Sequence, residues 1–102
     1  MKTMILIPAL APGAELIDYL QALSDAQLGQ LVVVDDGSGP DYAPIFALAA
    51  QIPGCTVLRH EQNRGKGDTL KTGLRYFQEL PDRSEYNGVV TADADGQHSV
   101  AD

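Results

Sequence analysis

Four short apolar runs punctuate the chain, and the segments between them carry hydrophobic residues at helical spacing. Met4-Ile5-Leu6-Ile7 is unbroken by polar residues, the pattern of a strand covered on both faces. Leu31-Val32-Val33-Val34 is β-branched and equally unalternating, and Thr56-Val57-Leu58 is a shorter run of the same kind. The last, Val89-Val90-Thr91 after Gly88, also reads as a buried strand. Between the first two, Leu16, Ile17, Leu20 and Leu23 recur with a helical period, and Glu15 and Asp18 sit in the early turns where the helix dipole favours anions. A second helix is expected from about Asp41, with Ile45, Leu48, Ala49 and Ile52 as its apolar stripe. Pro44 must then fall in the first turn, where its missing donor costs nothing, and Pro53-Gly54 ends the helix. A third carries Leu70, Leu74 and Phe77 on one face, with Gly73 allowing close approach to a neighbour, until Pro81-Asp82 breaks it.

Strands alternating with helices imply a parallel sheet with right-handed crossovers. The fold class expected is α/β, a Rossmann-like, doubly wound, mainly parallel sheet with helices on both faces. In such sheets ligands bind outside the carboxyl ends of the strands, where strand order reverses. The polar clusters fall at those ends: Asp35-Asp36 after the second run, Asn63 to Gly67 after the third, Asp93 to His98 after the fourth. They are therefore expected along one edge.

Composition narrows the function. With 102 residues, 44% of them hydrophobic, the chain has material for one core, as a small domain or a piece of a larger one. A boundary so close behind the acidic run of residues 93–95 is expected to be a truncation. The formal net charge of −7 argues against general nucleic-acid binding, so any phosphate handled here needs a bound cation. Cys55 is the only cysteine, which excludes an intrachain disulfide and a cysteine-rich metal site and fits a reduced, cytoplasmic setting. The apolar run before Ala9-Leu10-Ala11 is too short for a signal peptide and contains Pro8, and the sequence holds no transmembrane segment.

Asp93 and Asp95 lie one residue apart at a strand end, so their side chains point roughly the same way. Converging carboxylates repel unless a cation lies between them, and hard oxygen ligands suit Mg²⁺ or Mn²⁺. Asp-Ala-Asp-Gly is equally a polar turn. It is not an EF-hand loop, because His98 stands where that loop needs glycine. Gln97 competes with His98 to complete an oxygen-rich shell, and His98 is otherwise a donor to phosphate or a solvated residue. The loop Asn63-Arg64-Gly65-Lys66-Gly67 leads into a helix amino terminus, where it suits a phosphate or is simply a glycine-rich lead-in capped by Asp68 or Thr69. It is not a Walker loop, and the first strand does not lead into G-x-G-x-x-G. Asp35 and Asp36 fit hydrogen bonding to a base or ribose, or an ordinary Asp-Gly turn.

Leu6-Ile7-Pro8-Ala9, Val32-Val33-Val34-Asp35-Asp36-Gly37-Ser38, Asn63-Arg64-Gly65-Lys66-Gly67 and Asp93-Ala94-Asp95-Gly96-Gln97-His98 occur in register over nearly the whole chain. Together they resemble the nucleotide-binding half of a family 2 glycosyltransferase of the GT-A fold, the last motif being similar to the dolichyl-phosphate mannosyltransferase subgroup. The resemblance implies transfer of a sugar from a UDP- or GDP-sugar to an acceptor, for which a polyprenyl phosphate is compatible. It implies that Pro8 and Ala9 line the nucleotide pocket, that Asp35 and Asp36 lie by base and ribose, and that Lys66 lies near the nucleotide. Asp93 and Asp95 become a DXD motif holding Mg²⁺ or Mn²⁺ against the diphosphate, with Asp93 also touching the nucleotide sugar and Gln97 as a further metal ligand. The general base is expected beyond Asp102, which leaves this chain the donor-binding half, inactive alone. A departure lies at Leu10-Ala11-Pro12-Gly13, where family members commonly carry a polar pair such as Asn-Glu.

Two other readings compete. Val89 to Gly96 also resembles the nucleophile strand of haloacid-dehalogenase-type phosphatases, although that motif normally opens its domain and carries Thr or Val after the glycine. A non-catalytic nucleotide-binding or interaction domain is the other. Truncation would also leave the fourth strand at an exposed sheet edge, open to self-association.

Overall fold

The computed structural model describes residues 2–92. Four parallel strands, β1 (Lys2–Ala9), β2 (Gln30–Asp36), β3 (Cys55–His60) and β4 (Tyr86–Thr91), form one sheet in the order β3-β2-β1-β4. Three α-helices connect them: α1 (Glu15–Asp25), α2 (Ala43–Gln51) and α3 (Lys66–Gln78). The expected α/β class, parallel and wound in both directions from β1, is the class observed.

The unalternating runs are explained by two cores, one on each face of the sheet. Ile5, Ile7, Ala9, Leu31 and Val33 pack with Leu16, Leu20 and Leu23 of α1 and with Phe46 and Ala49 of α2. Their neighbours in sequence, Met4, Leu6, Val32 and Val34, point the other way and pack with Leu70, Tyr76 and Phe77 of α3. From Met4 to Ile7 and from Leu31 to Val34 both faces of the strand thus meet a helix layer, which leaves no place for a polar residue between the strand ends.

Four details depart from the sequence reading. The second helix is preceded by a 3-10 turn at Pro40–Tyr42 and becomes α-helical only at Ala43, with Pro44 in the first turn as required. Its buried residues are Phe46 and Ala49, whereas Leu48 is 52% exposed. In α3 the row against the sheet is Thr69 and Gly73, and Leu74 is 43% exposed. The reason is contact distance: a Cβ built on Gly73 would lie 2.2 Å from Leu6 Cδ1, so α3 meets β1 at its smallest residue, and Leu74 is turned about 100° away. β3 runs on past Leu58 to His60, which is buried in the strand rather than opening a loop.

β4 also departs, since its residues are half-buried or exposed and Val90 is 54% exposed. Topology accounts for this. α1 and α2 connect β1 to β2 and β2 to β3, so they cover the half of the sheet away from β4. Val90 lies opposite Ile5 in the ladder and shares the α1/α2 face, where nothing among the described residues covers it. Val89, opposite Met4, has α3's layer to pack against. Cys55, the first residue of β3, is half-buried, and burial pushes its thiol up to about 11. No helix among the described residues is long and apolar enough to cross a membrane.

Candidate functional site

Because all four strands are parallel, their carboxyl ends share one edge, and the ladder fixes which residues meet there. Ala9 of β1 lies opposite Asp35 of β2, and Asp36 lies opposite His60 of β3. On the other side of β1 the ladder runs to Leu6 opposite Thr91, and the Ala92 amide donates to the Leu6 carbonyl at 3.0 Å. Strand order reverses at β1, so the rim between β2, β1 and β4 is the crevice where such a sheet takes ligands.

Asp35 and Asp36 are both 4% exposed, yet successive strand residues face opposite sides, so they do different work. Asp35 Oδ1 accepts a 2.9 Å bond from the Ser38 amide, closing the turn after β2. The Ser38 hydroxyl oxygen in turn accepts from the Ala11 amide at 2.8 Å. That bond ties the loop after β1 to the loop after β2, and it holds Ala11 at φ +48°, a left-handed conformation rare for a residue with a Cβ. Among the described residues nothing donates to Asp35 Oδ2, and no buried side-chain oxygen or nitrogen there lacks a partner. This oxygen keeps its capacity to accept a further bond at the carboxyl end of β2. Pro8 is half-buried beside it and Ala9 is buried.

Asp36 is turned to the α3 side and is fully engaged by the protein. Its Oδ1 accepts from the Arg64 amide and from His60 Nδ1, each at 2.9 Å, and its Oδ2 accepts from the Gly65 amide at 2.9 Å. Burial works against ionisation of this carboxyl, but the bonds from the Arg64 amide, the imidazole and the Gly65 amide outweigh it and hold the group below the ordinary carboxylate range. The bonds fold residues 61–65 back over the end of β2. Gly37, at φ +72°, makes the approach possible: a Cβ there would lie 2.4 Å from the Asn63 nitrogen and from the Gln62 carbonyl carbon. Asn63, Arg64 and Lys66 are presented on the surface of the same edge, Lys66 as the first residue of α3. That 13-residue helix begins at Gly65 with no side-chain cap, so its terminal amides face the rim without the cap the sequence suggested from Asp68 or Thr69. The Thr69 hydroxyl bonds instead to the Lys66 carbonyl.

Pro8, Ala9, Asp35, Asp36 and Lys66 are thus brought to one edge. Asp93, Asp95, Gln97 and His98 lie outside the described residues. Among the described residues no three His, Cys, Asp or Glu side chains converge as metal ligands would. Sequence reading missed His60 and Thr72, whose ring nitrogen and hydroxyl lie 2.7 Å apart under Asp36. The signal available was topological: a buried carboxylate ending β2 needs a donor, and the end of the neighbouring strand is where one can stand.

Residues 5–101 match the family model described as Glycosyl transferase family 2. The chain is 33% identical over 98 residues to the uncharacterized protein MJ1222 of Methanocaldococcus jannaschii, covering 96% of this chain and 37% of that protein. Among solved structures, that of S. aureus TarS residues 1–349 superimposes with a TM-score of 0.64 at 22% identity, covering 93% of this chain and 28% of the other. The chain spans well under half the length of either protein.

Proposed function

The chain belongs to glycosyl transferase family 2, and from that premise we propose that it is the donor-binding part of an enzyme transferring a sugar from a nucleoside diphosphate sugar. The observation that carries this reading is the shared edge: Asp35, the β1 end at Pro8-Ala9 and the Asn63–Lys66 loop, which is tied to Asp36, all stand at the carboxyl ends of the parallel strands. Asp35 Oδ2 is an acceptor suited to a base N–H or a ribose hydroxyl. Asp36 acts indirectly, since its oxygens are taken by the loop and by His60. Its part is to hold Arg64 and Lys66 where cationic groups and helix-end amides attract a diphosphate.

Asp93, Asp95 and Gln97, which follow Ala92 in sequence, are the proposed ligands of Mg²⁺ or Mn²⁺. Bound there, the ion would stabilise charge on the departing nucleoside diphosphate. Affinity to the dolichyl-phosphate mannosyltransferase subgroup, a polyprenyl phosphate as acceptor and a cytoplasmic setting belong to this proposal. So does the assignment of the general base and acceptor site to sequence outside these 102 residues, so that the chain alone binds nucleotide and does not transfer sugar. The phosphatase alternative gives way, because the family match includes the acidic run on which that alternative stood.

Thermal unfolding with UDP or GDP and Mn²⁺ tests the reading. One of the nucleotides should raise the melting temperature of the wild-type chain. The rise should vanish on omitting Mn²⁺, and in Asp93→Ala and Asp95→Ala. A well-folded chain that neither nucleotide stabilises would refute donor binding.

A further inference from the structure

We propose that His60 is a positioning residue for the donor site, locking residues 61–65 and the start of α3 in place through Asp36. The proposal rests on the donor-binding reading above and adds a residue to it. His60 ends β3 directly opposite Asp36, and its ring is buried between β2 and α3. A carboxylate can only accept, so the proton on the ring nitrogen facing Asp36 belongs to Nδ1. The other nitrogen, Nε2, meets the Thr72 hydroxyl of α3 at 2.7 Å. The imidazole is held at both ends, to the second strand and to the third helix.

The consequence falls on the loop. Asp36 Oδ1 is shared between the imidazole and the Arg64 amide, and Oδ2 receives the Gly65 amide. These two amides immediately precede Lys66, so the carboxylate sets where α3 begins and where Arg64 and Lys66 emerge. If the carboxyl took up a proton, one acceptor would become a donor facing a peptide N–H, and the loop would be released. The imidazole bond favours the ionised form and orients the carboxylate for both amides at once. None of this requires His60 to touch a ligand. Arg64 and Lys66 are surface residues on the rim, whereas His60 lies beneath it.

The test separates loop positioning from general stability. UDP and GDP are titrated calorimetrically into the chain with Mn²⁺, and amide exchange is followed at Arg64 and Gly65. His60→Leu keeps approximate volume and removes both ring nitrogens; His60→Asn keeps an amide donor toward Asp36 but does not reach Thr72. In His60→Leu, nucleotide binding should weaken about tenfold, equivalent to roughly one hydrogen bond of about 1.4 kcal/mol. Exchange at Arg64 and Gly65 should accelerate more than in the core of β1 and β2. His60→Asn should restore both to within about threefold of wild type. Wild-type affinity in a folded His60→Leu overturns the proposal. So does uniform acceleration across β1, β2 and the loop without rescue by asparagine, which would show a merely structural role. Should His60→Leu fail to fold, His60→Asn decides, and loss of binding in it is the overturning result. A wild-type chain that binds neither nucleotide removes the donor-binding reading and the role of His60 with it. Those two failures are distinct, because only the second is visible without a variant.

Discussion

At the scale of single residues, the adjacent aspartates at the end of β2 divide structural from binding work. Asp36 spends its charge on two peptide amides and an imidazole, while Asp35 spends one oxygen on a turn and has no donor to the other among the described residues. This division predicts a stability cost at Asp36. Asp36→Asn sets an amide N–H against one of the chain's own N–H donors, so it should cost about 2 kcal/mol of stability, measured by urea unfolding at neutral pH. The pH dependence follows from the sign of the shift. Because the folded carboxyl lies below its unfolded value, its contribution is complete above the ordinary carboxylate range and is lost as pH falls through the lower folded value. The gap between wild type and Asp36→Asn should therefore be widest near neutrality and narrow below about pH 4. A gap that stays constant down to strong acid would contradict the ionised role assigned to this residue.

At the scale of elements, α3 shows how contact distance outranks hydrophobic spacing. The spacing of Leu70, Leu74 and Phe77 points to one face, but the helix settles on Thr69 and Gly73 because there the backbone can approach Leu6 most closely. Two glycines of the same helix should therefore respond oppositely to alanine. At Gly67 nothing lies within 4 Å of an added Cβ, so Gly67→Ala should gain about 0.5–1 kcal/mol from reduced unfolded-chain freedom and better helix propensity. At Gly73 the added Cβ would meet Leu6 Cδ1 at 2.2 Å, Cδ2 at 2.6 Å and Cγ at 3.0 Å. Leu6 is wholly buried and cannot swing aside without displacing its neighbours. Overpacking of this kind costs about 1–3 kcal/mol, which outweighs a propensity gain of about 1 kcal/mol. Gly73→Ala should thus lower the melting temperature and Gly67→Ala raise it. Equal shifts in the two variants would show that α3 is not pressed on β1 at Gly73.

For the whole molecule, the crossovers decide what is covered. α1 and α2 lie over the β1–β3 side, and among the described residues β4 is an edge strand with Val90 exposed on the α1/α2 face. The opposite edge, β3, carries the exposed charge of Arg59, a feature that discourages edge pairing, whereas the exposed residues of β4, Asn87, Val90 and Thr91, include no charge. We expect self-association through β4, seen as concentration-dependent sedimentation and suppressed by Val90→Lys. A wild-type chain that stays monomeric at high concentration would contradict it.

Much of this was legible along the chain because it depends on local chemistry. Runs such as Val32-Val33-Val34 tolerate no polar residue, since both faces of the strand meet helices, and that alone implies a parallel sheet with its polar clusters at one edge. Pro44 marked the first turn of α2 for the equally local reason that proline has no N–H to lose. What tertiary structure alone decided is pairing across distance. That His60 is a buried partner of Asp36, that Ser38 holds Ala11, and that Leu74 and Val90 are left outside follow from strand order and helix approach. Side-chain chemistry shows what a residue can do. Only the register of neighbouring strands shows what stands opposite to do it with.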